Sequence, residues 1–374
     1  MNQLSEKIIQ HIKTSQAISF CDFMQMALYD KEFGYYFTSK EKIGRSGDFY
    51  TSANISSVFG ALLAKQCLEM YCQLADITLG NIHNSNQILT IIEVGAGTGQ
   101  LAFDILYALQ NEYDFPLKRI KYLIAEISPS MQERQKDLLA PFASQVEWID
   151  FDKLENNSQT AIIIANEVVD AFPIHQFRWC GKELQKLYID TDGAKLIPIW
   201  QNIPLLKVPA DIAFYLEHLK VDFVEKQVIE VNLAAIKWIT KVSQILKSGF
   251  VIIIDYGDLS DHLYSLDHLE GTIRCFFQHR VNNNYLENIG EQDITTDVNF
   301  EILMTYALYS DLETLCFMRQ ADYLIKLGLL DRLQTLIETD PNSFQSLKAR
   351  LAMKNFFIPG GISDHFKVLI LKKI

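Results

Sequence analysis

Three glycines and a scattered set of carboxylates, each following a short apolar run, are the residues best placed to do chemistry. In IIEVGAGTGQLAFDIL an apolar run leads into Gly95, Gly97 and Gly99, and a helical pattern begins near Gln100. Glycines there let the chain turn tightly and let a ligand approach backbone N–H groups at a helix N-terminus. A tight strand-to-helix turn without a ligand would use similar residues. The acidic Glu93 precedes the loop. A second run, KYLIAEIS, ends in Glu126. A carboxylate accepts two vicinal hydroxyl donors well, which suits a ribose; the alternative is that Glu126 caps the next helix, where Ser128 and Pro129 mark a start. Asp150 and Phe151 follow a third run, at a place where a polar group can meet an adenine amino group.

A fourth run, IIIANEVVDAFP, ends in Asn166, Glu167 and Asp170. Ligands bind beyond the carboxyl ends of parallel strands, so these side chains are expected to face the crevice. Two carboxylates can grip a guanidinium in a bidentate fork; otherwise Glu167 and Asp170 simply cap the segment that follows. Farther on, Asp255, Tyr256 and Gly257 follow a strand, and GTIRCFFQHR carries Arg274, His279 and Arg280. His279 is a candidate base, although a lone histidine is more often structural. The acid-rich GEQDITTDVNF, with Asp293 and Asp297, reads equally as a solvated loop or as part of a site.

The elements that must hold these groups alternate. LTIIEVG, KYLIAEI, TAIIIANEV and GFVIIIDYG are nearly continuous in hydrophobicity, as strands buried on both faces of a parallel sheet are. Helical stretches lie between them, Gln100 to Gln110 and Pro129 to Leu139 among others, so the pattern is βαβ and the fold class α/β, with a doubly wound sheet. Residues 1–75 read as a helical extension interrupted by GYYFTSKEKIGRSGDFYTSANIS, a loop too aromatic to be a mere linker. Residues 76–374 form the main domain, with an insertion at about 176–247 that contains a hairpin (FRWCGKELQKLYID) and a helical part from 210. Residues 301–350 read as helices, with a hydrophobic stripe at 301–330 that leaves oligomeric state open, and HFKVLILKK is a final strand.

Composition narrows the partners. The 374 residues are 49% hydrophobic and 21% charged, enough for a large core and unlike a disordered chain. A net charge of −12 argues against a nonspecific nucleic-acid binder and favours a small molecule or a protein, a basic one being drawn in electrostatically. The six cysteines form no CxxC pair and no metal-type cluster with histidine, which reads as free thiols in a reducing compartment. The start, MNQLSEKIIQHIKTSQ, lacks the apolar core and cleavage site of a signal peptide, and no apolar run is long enough to span a bilayer. A cytoplasmic location is expected.

Gln100 stands where the dinucleotide fingerprint needs a glycine, which disfavours a nicotinamide dehydrogenase. GxGxG after an acidic residue instead resembles motif I of class I S-adenosylmethionine-dependent methyltransferases. GDFYTSANISSVFG, EVGAGTG, AEISPSMQERQ, ANEVVDAFPIHQF, IIDYG, TIRCFFQHR, GEQDITTDVNF and HFKVLILKK together, in this order, resemble the MidA-like family, which includes a mitochondrial complex I assembly factor that is a protein arginine methyltransferase. The match runs from about Ile18 to the C-terminus. It implies a Rossmann-like class I methyltransferase sheet with an N-terminal helical extension and a large helical and hairpin insertion. It further implies S-adenosylmethionine as cofactor and symmetric dimethylation of an arginine on a protein, a respiratory complex I subunit being one such substrate. By the same resemblance Gly95, Gly97 and Gly99 match the cofactor loop, Glu126 the acidic end of the second strand, and Gly47–Asp48–Phe49 an N-terminal loop that folds over the cofactor. The family's usual Glu in the TSPEIS motif is Asn54 here, which puts affinity or substrate choice in doubt. Two alternatives remain: a small-molecule methyltransferase, and an assembly or adaptor protein that keeps the fold and binds the cofactor with little catalysis.

Overall fold

The computed structural model describes residues 2–38, 56–181, 183–340, 342–357 and 365–374. The four continuously apolar runs become β2 (Leu89–Val94), β3 (Ile120–Ala125), β5 (Gln159–Asn166) and β10 (Leu246–Asp258), with β4 (Val146–Ile149) at one edge. All five run parallel. β15 (Leu312–Arg319) and β16 (Phe366–Lys373) complete the other side, and β14 (Val298–Asn299) pairs with the end of β10. The order is β15-β16-β10-β5-β2-β3-β4, with β16 antiparallel between β10 and β15.

Alternation along these strands explains why they read as unbroken apolar runs. Ile162 and Ile164 of β5 belong to one core with Ile91, Ile124 and Ile252, whereas Ile163 and Ala165 belong to a second with Ile92, Leu123 and Ile253. Both faces are therefore buried, and each such isoleucine contributes roughly 2 kcal/mol through burial. The first face is covered by the helices Ser57–Ala75 and Gln100–Asn111, the second by Leu233–Ile245 and Phe300–Tyr309. Chain order reverses between β2 and β5, so a crevice opens at their carboxyl ends.

A smaller antiparallel sheet stands beside it. It comprises β1 (Ile18–Ser19), β6 (His175–Trp179), β7 (Glu183–Thr191), β8 (Leu196–Pro204) and β9 (Val228–Val231). A third contains β11 (Arg274–Phe277), β12 (Arg280–Asn282) and β13 (Asp293–Thr295). The N-terminal helices Gln3–Thr14 and Phe20–Tyr29 pack on residues of both small sheets, including Leu187, Ile189, Cys275 and Ile294. The pairing of Ile18 with Ile189 anchors them there. This docking carries Tyr29 and the short turn Tyr35–Phe37 towards the crevice of the main sheet.

Two stretches depart from the sequence reading. Residues 301–350 are not all helical: Leu312–Arg319 is a strand, followed by the helices Gln320–Leu327, Leu329–Thr339 and Phe344–Lys354. Most of that strand's side chains are exposed or half-buried at the sheet edge, so it lacks the apolar run that marked the central strands. The region 210–247 likewise contains β9 between its helices. Among the described residues, no helix is long and apolar enough to cross a membrane.

Candidate active site

A cavity of about 210 Å³ lies in the crevice between β2 and β5. The glycine loop and Glu126 form one side, Asn166, Glu167 and Phe172 another, and Tyr29 and Tyr36 close it from the N-terminal segment. Gly95, Gly97 and Gly99 have φ values of 66°, 53° and 82°, all in the left-handed region that glycine enters without strain. The helix Gln100–Asn111 starts directly after Gly99, so its unpaired N–H groups border the cavity.

The loop is held from below by residues of three elements. Gln135, fully buried, donates from Nε2 to the Gly97 carbonyl at 2.8 Å and to Glu126 Oε2 at 3.1 Å. Its Oε1 accepts from Trp148 Nε1 at 2.8 Å. The Ser128 N–H donates to Glu126 Oε1 at 2.9 Å, and the Ile127 and Gly97 N–H groups also favour its ionised form. Burial nevertheless pushes the Glu126 carboxyl above its ordinary range. Glu126 thus both steadies the start of the next helix and lines the cavity.

Glu93 is 2% exposed and accepts from the Tyr122 hydroxyl at 2.6 Å. Burial, with the Glu126 charge nearby, pushes its carboxyl up to about 7, against the lowering effect of the Tyr122 hydrogen bond. The folded protein therefore retains this proton where the unfolded chain has released it, and stability falls as pH rises from the unfolded value through about 7. The expected result is that Glu93→Gln, which keeps an acceptor for Tyr122, flattens that decline. Urea midpoints of both proteins between about pH 5 and about pH 8 provide the measurement; parallel curves would place the titration elsewhere.

The residues at the end of β5 divide. Asn166 and Glu167 line the cavity, with Asn166 Nδ2 donating to Glu167 Oε1 at 3.1 Å. Asn166 Oδ1 is buried there without a hydrogen-bond partner among the described residues. Glu167 has φ 55°, a left-handed conformation uncommon for a residue with a side chain. Asp170 does not line the cavity. It is 5% exposed, and burial, together with Asp255, Asp293 and Glu167, holds its carboxyl well above the usual carboxylate range. A fork of Glu167 and Asp170 is therefore not assembled. Nor do these residues cap a helix, because none follows before β6.

The other candidates are dispersed. Asp150 is half-exposed, pairs with Lys153 at 2.8 Å and caps the turn Phe151–Lys153, outside the cavity lining. His279 is also outside that lining: it is exposed at the tip of the β11–β12 hairpin. Gln278 and His279 there have φ 50° and 60°, as a two-residue hairpin turn with both central residues left-handed demands. The turn explains the backbone at His279 without a catalytic role. Gly47, Asp48 and Asn54 lie outside the described residues. Three groups escaped the sequence reading: Gln135, which looked like any polar helix residue; Tyr29; and the role of Asp255, whose partners lie in the loop that follows a different strand. The acid-rich Gly290–Phe300 segment supplies Asp293, 2% exposed, which accepts from the Tyr36 hydroxyl at 2.9 Å and so is no solvated loop residue.

A family model described as "Putative S-adenosyl-L-methionine-dependent methyltransferase" matches residues 62–318. The chain belongs to this family. This methyltransferase is 25% identical over 376 residues to the "Protein arginine methyltransferase NDUFAF7, mitochondrial" of Danio rerio, covering 92% of this chain and 82% of that protein. It is also 25% identical to the mitochondrial homologue of the same name in Caenorhabditis elegans, covering 90% and 79% of the two chains. A superfamily member from Burkholderia thailandensis, solved bound to S-adenosyl-homocysteine, matches with a TM-score of 0.86 and 25% identity over 99% of this chain and 92% of its own. The sheet and the glycine cavity are thus those of a class I enzyme that uses S-adenosylmethionine. The residues present fit that cofactor: the glycine loop leaves its backbone open, Glu126 puts a carboxylate on the cavity wall, and Asn166 Oδ1 is a buried acceptor without a partner among the described residues. When bound, the cofactor supplies an electrophilic methyl group on a sulfonium.

Proposed function

We propose that this methyltransferase methylates an arginine side chain of a protein. The observation that carries the reading is the placement of Glu167 on the cavity wall beside Asn166, with Tyr29 and Tyr36 lining the same space. An anionic carboxylate flanked by aromatic rings suits a cation. The Tyr29 and Tyr36 hydroxyls are engaged by the Ala171 carbonyl at 3.0 Å and by Asp293 at 2.9 Å. Ring surface is therefore their main offering to the cavity. Arg274, whose charge acts on Asp170, is itself paired with Asp297. The names of the Danio rerio and Caenorhabditis elegans relatives support the same substrate class.

In this reading Gly95, Gly97 and Gly99 receive the cofactor, with Glu126 on its ribose hydroxyls. Glu93 and Asn166 complete that half, and Glu167 orients the guanidinium. As the new N–C bond forms and the S–C bond breaks with its electrons left on sulfur, Glu167 takes the proton that the nitrogen sheds. The MidA-like resemblance extends the proposal to symmetric dimethylation of a respiratory complex I subunit. Six free cysteines support a reducing, cytoplasmic setting, while the curated relatives carry the label mitochondrial.

The test is methyl transfer from labelled S-adenosylmethionine into extract from cells lacking this protein, followed by amino-acid analysis of the labelled material. Label in methylarginine of a protein supports the proposal, and the mono- or dimethyl form identifies the product. Label confined to small molecules would make this a small-molecule methyltransferase. Binding of S-adenosyl-homocysteine with no transfer to any acceptor would favour an assembly or adaptor protein.

A further inference from the structure

The end of β5 is gripped from the neighbouring strand β10. Asp255, completely buried, accepts through Oδ2 from three successive backbone N–H groups, those of Val168, Val169 and Asp170, at 3.2, 2.9 and 3.2 Å. Its Oδ1 accepts from the Tyr256 N–H at 2.9 Å. Consecutive N–H groups converging on one oxygen form a concavity of the kind that binds anions, and here a carboxyl of the protein itself fills it. No helix follows this loop, so Asp255 is not a helix cap displaced onto another strand. The remaining bonds fix the same segment: the Glu167 N–H donates to the Ile254 carbonyl at 2.8 Å, and the Asp170 carbonyl accepts from the Thr296 N–H at 2.9 Å.

What this grip holds is a strained backbone. Glu167 keeps φ 55° immediately before the three captured N–H groups. Such a conformation persists at a residue with a side chain only when the surroundings over-determine it. We propose that Asp255 is a positioning residue for methyl transfer: by collecting the N–H groups of residues 168–170 it fixes the corner that aims Glu167 into the cavity. This rests on the reading of Glu167 as the carboxylate that meets the acceptor. Asp255 touches neither cofactor nor acceptor, since it does not line the cavity, and it acts through Glu167.

A double-mutant cycle tests this in the full-length protein, with Asp255→Asn, Glu167→Gln and the pair combined. Each variant is measured for S-adenosyl-homocysteine affinity by calorimetry and for methyl transfer to an acceptor turned over by the wild type. The expected result is that Asp255→Asn lowers kcat by at least about 30-fold while cofactor affinity stays within about 3-fold. In the Glu167→Gln background the same change costs less than about 3-fold more, because the side chain it positions is already disabled. Equal losses in both backgrounds, or a parallel loss of cofactor affinity, would overturn the proposal. If Glu167→Gln alone transfers methyl groups as fast as wild type, the reading of Glu167 fails, and it fails visibly before Asp255 is judged. Should Asp255→Asn not fold, Asp255→Ser, which keeps one acceptor oxygen, takes its place in the cycle. Failure of both to fold would assign Asp255 a purely structural role and overturn the proposal.

Discussion

In a folded Gly97→Val variant, affinity for S-adenosyl-homocysteine falls by at least about 100-fold, which corresponds to about 2.7 kcal/mol. Two effects combine. Gly97 has φ 53°, and a β-branched residue in that left-handed region is a genuine outlier that costs on the order of 1–3 kcal/mol. Relief by backbone rotation would disturb the Gly97 carbonyl, which accepts from Gln135, the same side chain that steadies Glu126. The second effect is occupancy: a valine side chain enters space where a ligand must approach bare backbone. Thermal unfolding without ligand isolates the first effect, and calorimetric titration reports their sum. Unchanged affinity in a folded variant would remove the glycine loop from the account of cofactor binding.

Glu167→Gln has the opposite signature. Methyl transfer drops by at least about 100-fold, the lower end of what a positioned proton acceptor contributes, while S-adenosyl-homocysteine affinity stays within about 3-fold. Glutamine has nearly the same shape and can still accept from Asn166 Nδ2, which Glu167 Oε1 does at 3.1 Å. The substitution therefore removes the charge that, in the proposed function, meets a guanidinium, and leaves the wall of the cofactor half standing. Labelled-methyl transfer and calorimetry on one preparation separate the two quantities. Equal rates in variant and wild type would move the acceptor site away from β5.

The sequence made the parallel strands legible because burial on both faces leaves few polar positions in their middles. Ile162, Ile163 and Ile164 point into alternate cores yet read as one apolar run. The glycine loop and Glu126 were legible for a related reason, since a strand, a tight turn and a helix leave a local pattern. β15 was misread because an edge strand with exposed side chains carries no such run, and its leucines mimic a helix. Asp150 was chosen by its place after a strand and His279 by residue type, and the structure sets the first in the cap of a short turn and the second in a hairpin turn. Asp170 sat at the right place in the chain, and the turn after Glu167 buries it away from the cavity beside Asp255. Gln135, Tyr29 and the grip of Asp255 depend on contacts between distant segments, which no window of sequence contains.

The sheet also imposes an order of assembly. β10 carries Asp255, and one of its two flanking partners in the central sheet is β16, which the chain delivers only after residue 365. β15 likewise pairs with β16 and reaches β10 only through it. A nascent or truncated chain ending before Phe366 therefore leaves β10 with an open edge on the side away from β5, so the strand that carries Asp255 is paired on one side alone. The parts of the cofactor cavity built from β2, β3 and their loops are synthesised long before that point. The support of Asp255 is thus completed last, so a shortened chain can retain the glycine loop and still hold the corner at Glu167 less firmly.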